Sequence, residues 1–256
     1  MVCYLCLDGG GDEAGQPLRR DCACRGSDAG FVHLSCLTGF ASTKSKQARG
    51  MNQFSEPWHT CPSCHQEYQN ELSIDIANKV ASFVRRQYPD DTRRQVEALY
   101  VKLNALITMF NRLKPVQKRE AGVTANVLLS LIDRMEGDAS SLPIRYSRFE
   151  ADAYHVHGRI ALDEGTDESA RRAVTHFKKD LKVWEAIDDT DGVAAAKSNI
   201  AFTKSKYESD RNNHKLLKAS RELYKWRVAE FGEEHEYTID AGKICALRLQ
   251  KDDRRK

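Results

Sequence analysis

The sequence predicts a small metal-stabilised domain at the N-terminus, followed by an all-α array of antiparallel helices. Two observations support this division. Seven of the eight cysteines lie within residues 3–64, where helical periodicity is weak. After Asn70, charged and apolar residues recur at helical spacing almost to the end of the chain, and short turns separate the segments. Short turns between amphipathic helices are typical of antiparallel neighbours.

Composition limits the classes of function. The 256 residues suffice for two or three compact units, and 41% hydrophobic with 30% charged residues is ordinary for a helical globular chain. A net charge of +3 does not indicate a nucleic-acid partner. No run of about 18 apolar residues occurs, so we expect no membrane span, and we see no signal peptide. We therefore expect a reducing compartment: the cytoplasm, with the nucleus as the alternative.

Turn residues divide the region after Asn70 into eight predicted helices. The first has Ser73 as its N-cap and ends before Pro89. We predict helices at about 73–87, 91–114, 121–137, 145–164, 167–187, 191–208, 213–231 and 236–250, with a linker at 138–143. The predicted domains are residues 1–70, a helical connector at 71–145 and a helical array at 146–256.

Dense cysteines in a reducing compartment indicate metal ligands and not disulfides. The candidate ligands form four pairs: Cys3 and Cys6, Cys22 and Cys24, His33 and Cys36, and Cys61 and Cys64. Two-residue spacing allows a tight turn to direct both side chains at one tetrahedral ion, and eight ligands fill two closed structural zinc sites. His59 and His65 do not complete the paired spacing, so we predict that neither is a ligand.

The order of four cysteines, one histidine and three cysteines occurs in RING-CH modules and in PHD fingers. One residue separates Cys22 from Cys24 and eight separate Cys24 from His33, which is closer to RING-CH spacing. The segment from Cys22 through Gly26 and Ser27 to Leu37 also resembles the RING-CH domains of membrane-associated RING-CH ligases.

This resemblance implies a small zinc-stabilised RING-like α+β domain with interleaved ligand pairs. One zinc would be held by Cys3, Cys6, His33 and Cys36, and the other by Cys22, Cys24, Cys61 and Cys64. So short a segment has little apolar core, and structural zinc contributes on the order of 10–16 kcal/mol to the folding of finger peptides. We expect loss of one ligand to unfold the module.

The resemblance also implies a ubiquitin-protein ligase that binds a ubiquitin-conjugating enzyme and exposes its thioester to an incoming amine, which is catalysis by positioning. By motif, Leu5 and Pro62 would contact that enzyme, and Phe40 falls near the groove tryptophan of many RING-CH domains. The alternative for Leu5 and Phe40 is packing on the core, and for Pro62 it is stiffening of a turn. His65 occupies the position where many RING domains have Arg or Lys, which implies weaker or pH-dependent stimulation.

The polar and basic insert at 42–56 is predicted to be an exposed loop beside the enzyme-binding surface. Gly9 to Gly11 is interpreted as a flexible loop, and no phosphate-binding motif follows it.

A four-residue pattern recurs in the later helices: Gly158–Ala161 resembles Ser198–Ala201 and, more weakly, Lys243–Ala246. Together with small residues at helix contacts, this resembles tetratricopeptide repeats of the kinesin light chain type over residues 146–250, and the alternative is an irregular helical array. A repeat array implies a groove for a protein substrate or partner. Cys245 is predicted to be a core cysteine, and His155 and His157 to be packing or surface residues.

Two other functions compete with the ligase. One is a non-enzymatic adaptor in which the zinc module is a docking unit, and the other is a PHD-type chromatin reader.

Overall fold

The computed structural model describes residues 1–12, 14–25, 29–138, 143–207 and 213–234, with isolated positions at 238–239, 241–243, 245–246 and 249. The chain divides into two compact units, Met1–Ser141 and Leu142–Lys256. The predicted division into domains at 1–70, 71–145 and 146–256 stays a prediction. None of the described helices is long and apolar enough to cross a membrane.

The described residues of the first unit form an irregular N-terminal segment and five helices. These are α1 (Leu34–Gln47), α2 (Met51–Ser55), α3 (Asn70–Gln87), α4 (Thr92–Thr108) and α5 (Pro115–Asp138), with short 3-10 turns at Glu56–Trp58 and Phe110–Arg112. Helix α4 packs between α3 and α5. Its N-cap residue is Asp91, whose side chain accepts a hydrogen bond from the backbone N–H of Arg94 at 3.0 Å.

Helix α3 attaches the N-terminal segment to the rest of this unit. It begins at Asn70, three residues before the predicted cap, and buries an apolar stripe that includes Ile76, Val80 and Val84. The guanidinium of Arg19 donates to the carboxylate of Asp75 on this helix. The segment that carries the cysteines is therefore anchored to a helix with its own apolar contacts.

The prediction of an exposed loop at 42–56 is wrong. Helix α1 continues to Gln47 and α2 begins at Met51, and the side chains of Ser45 and Phe54 are buried. The Oγ of Ser45 donates to the carbonyl of Phe54 at 2.7 Å and accepts from the Nε1–H of Trp58 at 2.7 Å. The Trp58 ring packs against Phe83 on α3 at 5.3 Å between ring centroids. The insert thus forms part of the core, although its composition is polar.

The α+β description of this module is not confirmed. Among the described residues we find two isolated antiparallel bridges, between Arg19 and Val32 and between Thr60 and Glu67, and no strand. Turns and short helices therefore hold the ligand segments. The coarser prediction, a small cysteine-rich module followed by helices, agrees with the structure.

The described residues of the second unit form helices joined by short turns. These are α6 (Ile144–Asp163), α7 (Asp167–Ala186), α8 (Thr190–Tyr207) and α9 (Asn213–Phe231), each packed on the next. These bounds lie within one residue of the predictions. Of the fifteen residues in the predicted helix at 236–250, the structure describes eight, at 238–239, 241–243, 245–246 and 249, and all eight are helical. The similar segments Gly158–Ala161 and Ser198–Ala201 lie on α6 and α8. The interpretation of these helices as tetratricopeptide-like repeats stays a prediction.

Glycines allow these helices to approach closely. A Cβ added at Gly158 on α6 would lie 2.4 Å from Cε1 of Phe177 on α7. A Cβ at Gly192 on α8 would lie 2.3 Å from the Trp184 ring on α7. Each aromatic ring occupies the space that a side chain at the glycine would need, so the absence of a side chain permits the contact.

The remaining residues singled out from the sequence lie in this unit. The Nδ1 of His155 is 3.8 Å from the Asp180 carboxylate, whereas the ring of His157 packs on that of His176 with centroids 5.2 Å apart. The two histidines therefore have separate partners on α7, in agreement with a packing role. Cys245, which the sequence predicts to be a core cysteine, is half-buried.

Candidate metal centre

The ligand candidates lie in two clusters of four, and within each cluster the ligand atoms are within 4.8 Å of one another. We name them site one and site two. Site one contains Cys3, Cys6, His33 and Cys36, and site two contains Cys22, Cys24, Cys61 and Cys64. The first and third pairs along the chain thus share one site and the second and fourth pairs share the other. Neither cluster can form until distant segments of the chain come together.

The first ligand pair is shaped by a tight backbone turn. The N–H of Cys3 donates to the carbonyl of Asp8 at 2.8 Å, and the N–H of Leu7 donates to the carbonyl of Cys3 at 2.8 Å. Leu7 has a φ of 65°, in the left-handed region that residues other than glycine rarely adopt. The turn directs the side chains of Cys3 and Cys6 to the same point.

The last ligand pair repeats this geometry. The N–H of Cys61 donates to the carbonyl of Gln66 at 2.9 Å, and the N–H of His65 donates to the carbonyl of Cys61 at 2.9 Å. His65 has a φ of 56°. Equivalent turns at the two ends of the module therefore supply one ligand pair to each site.

The orientation of His33 is fixed by a backbone carbonyl. Its Nε2 lies 2.8 Å from the carbonyl oxygen of Gly10, which can only accept, so this nitrogen carries the proton. The Nδ1 atom then faces the sulfurs of Cys6 at 3.4 Å and Cys36 at 3.7 Å. A second interaction of this kind commonly orients a metal-binding histidine. The glycine loop at 9–11 therefore has a structural role that the sequence interpretation missed.

Gly30 is a second residue that the sequence analysis missed. Its φ is +78°, and an added Cβ would lie 2.8 Å from Cβ of Cys24 and 3.0 Å from Sγ of Cys22. Only glycine fits this conformation beside site two without displacing a ligand. The feature of the sequence that could have identified Gly30 is its position three residues before the predicted ligand His33.

The pKa values of the site-one ligands are shifted in different directions. In site one, burial tends to raise the pKa of Cys3, but backbone N–H groups, that of His33 foremost, bring it down to about 7. Burial, followed by the adjacent sulfur of Cys6, raises the pKa of Cys36 to about 12. The hydrogen bond to Gly10 raises the pKa of His33 to about 9.

Site two has the same division between its thiols. The backbone N–H of Gln66 lowers the pKa of Cys64 to about 7, whereas burial raises the pKa of Cys24. Thiolates this close together repel one another, so some of the cysteines in each cluster keep their protons when no metal is bound. A divalent ion removes this repulsion, and four sulfur or imidazole donors per ion form the usual closed structural zinc site. The residues present therefore fit zinc.

The other predicted site residues lie around these clusters. Leu5, Phe40 and Pro62 are half-buried and His65 is exposed. The Nζ of Lys44 lies 5.7 Å from the Phe40 ring centroid. Contact of these residues with a conjugating enzyme stays a prediction.

Two further predictions concern residues close to the ligands. Among the described residues, neither His59 nor His65 belongs to a cluster of metal ligands. The Nδ1 of His59 instead lies 3.0 Å from the Thr60 hydroxyl. Gly26 and Ser27, which contributed to the family resemblance, lie outside the described residues.

Comparison with known proteins supports the assignment of the metal centre. Residues 3–64 match the model of the RING-variant domain, and this range spans both clusters. The prediction of two zinc ions is confirmed, since both clusters fit zinc within a RING-variant domain. No curated protein matches the chain. A solved structure described as "DHF58 filament" is 14% identical, with 86% of this chain and 93% of that chain covered and a TM-score of 0.26, which is too low to support an argument about fold.

Proposed function

We propose that this chain is a RING-type ubiquitin-protein ligase, with a conjugating enzyme on the zinc module and a protein substrate or partner on the second unit. The observation that supports the proposal is the pair of interleaved metal-ligand clusters within a RING-variant domain, since such domains are generally associated with ubiquitin ligases. The proposed mechanism requires no nucleophile from the zinc module. It would act by fixing the conjugating enzyme and its thioester in a reactive orientation.

The proposed enzyme-binding surface includes the turn around the first ligand pair. Leu5 lies within this turn and is half-buried, while Leu7 is 75% exposed and Val2 is 43% exposed. Exposed apolar side chains on a rigid turn are suited to a protein interface. Pro62 has the matching position in the last turn, and Phe40 on α1 is the third proposed contact.

The second unit offers a groove for the substrate or partner. This groove has a volume of about 500 Å³ and is lined by Asp167, Ala170, Arg171, Val174, Thr175, Lys178, Thr203 and Lys204, from α7 and α8. Lys178 and Lys204 have no ion-pair partner among the described residues. Arg171 is paired with Glu168 at 3.4 Å, so the two lysines against the single carboxylate of Asp167 favour a partner segment with acidic side chains.

A ubiquitination assay tests the ligase proposal. The zinc-loaded chain is incubated with activating enzyme, a panel of conjugating enzymes, ubiquitin and ATP. We expect ubiquitin chains with at least one conjugating enzyme, and a loss of about tenfold in rate with Leu5→Ala, equivalent to about 1.4 kcal/mol, at unchanged zinc content. Leu129→Ala is the matched control, because Leu129 is half-buried on α5, outside the zinc module.

The same assay separates the ligase from the adaptor. Absence of stimulation across the panel, while both zinc ions remain bound, contradicts the ligase and favours a non-enzymatic docking module. We further propose a location in the cytoplasm or the nucleus, where conjugating enzymes and reduced cysteines coexist. Imaging of the tagged chain in cells checks this.

A further inference from the structure

Helix α5 has an exposed apolar stripe. Val116, Val123 and Val127 are 59%, 62% and 45% exposed, and their spacing of seven and then four residues places them on one side of the helix. We name these three residues the valine stripe. Within the first unit, α4 is the main neighbour of α5, and it leaves the valine stripe open to solvent.

The stability of α5 itself does not explain the valine stripe. Valine is branched at Cβ and loses side-chain freedom in a helix, so it is a weaker helix former than alanine, glutamate or lysine. The exposed face of a helix is ordinarily filled with those stronger formers. Burial of the three side chains against another surface would offset this disadvantage. The valine stripe therefore indicates a surface that is covered in a complex.

A row of polar residues beside the valine stripe indicates the partner. Arg119, Asn126 and Asp133 follow one another at intervals of seven residues, so they share a side of α5, and all three are exposed. None of their side chains has a hydrogen bond or an ion pair with another described residue. We name these residues the polar row. It has a cation at one end, a carboxylate at the other and an amide, which both donates and accepts, in the middle. A second copy of the row in the reverse direction is therefore complementary to the first.

We propose that α5 pairs with α5 of a second copy of this chain, in antiparallel orientation, through the valine stripe and the polar row. A two-fold axis near residues 125–126 brings Val123 against Val127 of the second copy. The same axis brings Arg119 within reach of Asp133 of the second copy. Symmetry then generates the reciprocal contacts, and a contact of this kind closes as a dimer.

The geometry of α5 suits an antiparallel pair. The helix has 24 residues, which corresponds to a length of about 36 Å, and the whole polar row lies within it. Antiparallel packing also places the positive N-terminal end of each helix dipole beside the negative C-terminal end of the other. One pair of helices buries less than the roughly 1,200 Å² at which stable interfaces usually begin, so we expect a weak dimer that depends on concentration.

Charge reversal tests the pairing in the full-length, zinc-loaded chain. Analytical ultracentrifugation of the wild type, from about 1 to about 500 µM, should show a monomer that becomes a dimer. Arg119→Glu brings two carboxylates together at each end of the interface, and Asp133→Arg brings two guanidinium groups together, so each variant should dimerise about tenfold more weakly or worse. An equimolar mixture of the two variants should dimerise as the wild type does, because each copy then supplies the charge that the other requires.

Val123→Ala tests the apolar part of the interface. Alanine is the stronger helix former, so the monomer should resist urea at least as well as the wild type, whereas dimerisation should weaken several-fold. Lys79→Glu is the control for charge reversal. Lys79 is exposed on α3, and α4 packs between α3 and α5, so this variant should dimerise as the wild type does.

Two results would overturn the proposal. One is a monomer over the whole concentration range, which would mean that no second copy covers the valine stripe. The other is a dimer that neither charge reversal weakens, or that mixing the two variants does not restore, which would exclude antiparallel pairing of α5. Far-UV circular dichroism checks that each variant is folded. Because α5 lies outside the zinc module and the readout is self-association, the result is independent of the ligase proposal.

Discussion

Leu7 and His65 occupy equivalent positions in the two turns that frame the metal centre. Each lies four residues after a ligand cysteine, each has a positive φ, and each donates its backbone N–H to the carbonyl of that cysteine. The conformation is one that side chains disfavour, by about 1–2 kcal/mol. Both side chains are exposed, so the turns present residues outward from a rigid backbone.

His65→Arg should increase ubiquitin transfer. His65 is exposed and fixed by the turn, and the RING-type proposal assigns its position to a cation that bonds both conjugating enzyme and ubiquitin. Arg carries a permanent charge and offers five donors in a fixed fork, whereas an imidazole ring offers at most two donors. We expect a several-fold faster discharge of ubiquitin from the conjugating enzyme at about pH 7.5.

The control for this prediction is His65→Gln, which keeps a polar side chain without the charge and should not accelerate discharge. Zinc content is measured in parallel, since the substitution is adjacent to Cys64. Equal rates for wild type and His65→Arg, at equal zinc content, would argue against this position as an enzyme contact.

Gly30→Ala should disrupt site two. The added Cβ would meet Cβ of Cys24 and Sγ of Cys22, and the φ of +78° is unfavourable for alanine. We expect a zinc stoichiometry below two and a module that unfolds in mild denaturant. Gly39→Ala on α1 is the matched control, because a Cβ there meets nothing within 4 Å. If Gly30→Ala retains two zinc ions with native affinity, the close packing at Gly30 is not required.

The ligand pairs could be predicted from the sequence because each pair is local. Two cysteines separated by two residues fit a tight turn whatever the rest of the chain does. The carbonyl of Gly10 and the space at Gly30 could not be predicted in this way. Each acquires its role from a segment distant in the chain that folding brings within hydrogen-bond or van der Waals distance.

The long helices could be predicted for a similar reason, since apolar periodicity is recorded within the segment itself. The insert at 42–56 could not. Helix α2 has five residues, which is too short for a period to appear, and the inward-facing Ser45 is polar. Its hydrogen bonds to Trp58 and Phe54, which make a serine suitable for the core, depend on tertiary contacts.

Ser45→Ala should destabilise the first unit by about 1–3 kcal/mol, because it leaves the buried Nε1–H of Trp58 and the carbonyl of Phe54 without a partner. Urea unfolding followed by circular dichroism measures the loss. Ser42→Ala on the same helix removes a hydroxyl that bonds only the local Gly39 carbonyl, and we expect a change within about 0.5 kcal/mol. Equal effects of the two substitutions would contradict a structural role for the buried serine.

Zinc binding should release protons and strengthen with pH. The pKa of Cys36 is raised to about 12 and that of His33 to about 9, so both hold protons at neutral pH without metal and must lose them to bind it. The sign is the same if the metal-free module unfolds, since free cysteine has a pKa of about 8.5. Apparent affinity therefore rises from about pH 6 to about pH 8, by about tenfold per pH unit for each proton displaced.

Calorimetry in two buffers of different ionisation enthalpy counts the protons released. Cys245→Ala is the control, because Cys245 lies in neither cluster, and it should release the same number. A zinc affinity independent of pH over this range would mean that the ligands are already deprotonated in the metal-free chain.

Gly158→Ala should destabilise the second unit through contact with Phe177. A Cβ at this position would lie 2.4 Å from Cε1 and 2.7 Å from Cδ1 of a ring that is fully buried, so the ring or the helices must shift. Overpacking of this kind costs about 1–3 kcal/mol, which exceeds the gain of about 1 kcal/mol from replacing glycine by alanine within a helix. Urea unfolding of the full chain measures the net loss.

A double-mutant cycle identifies Phe177 as the cause. Phe177→Leu alone should destabilise α6 and α7 by creating a cavity. In the Phe177→Leu background the smaller side chain leaves room for the Cβ, so Gly158→Ala should become less costly, and the two changes should not add. Additive effects would indicate that Gly158 is required for a reason other than the approach of the ring, and that the spacing of α6 and α7 is not set by this pair.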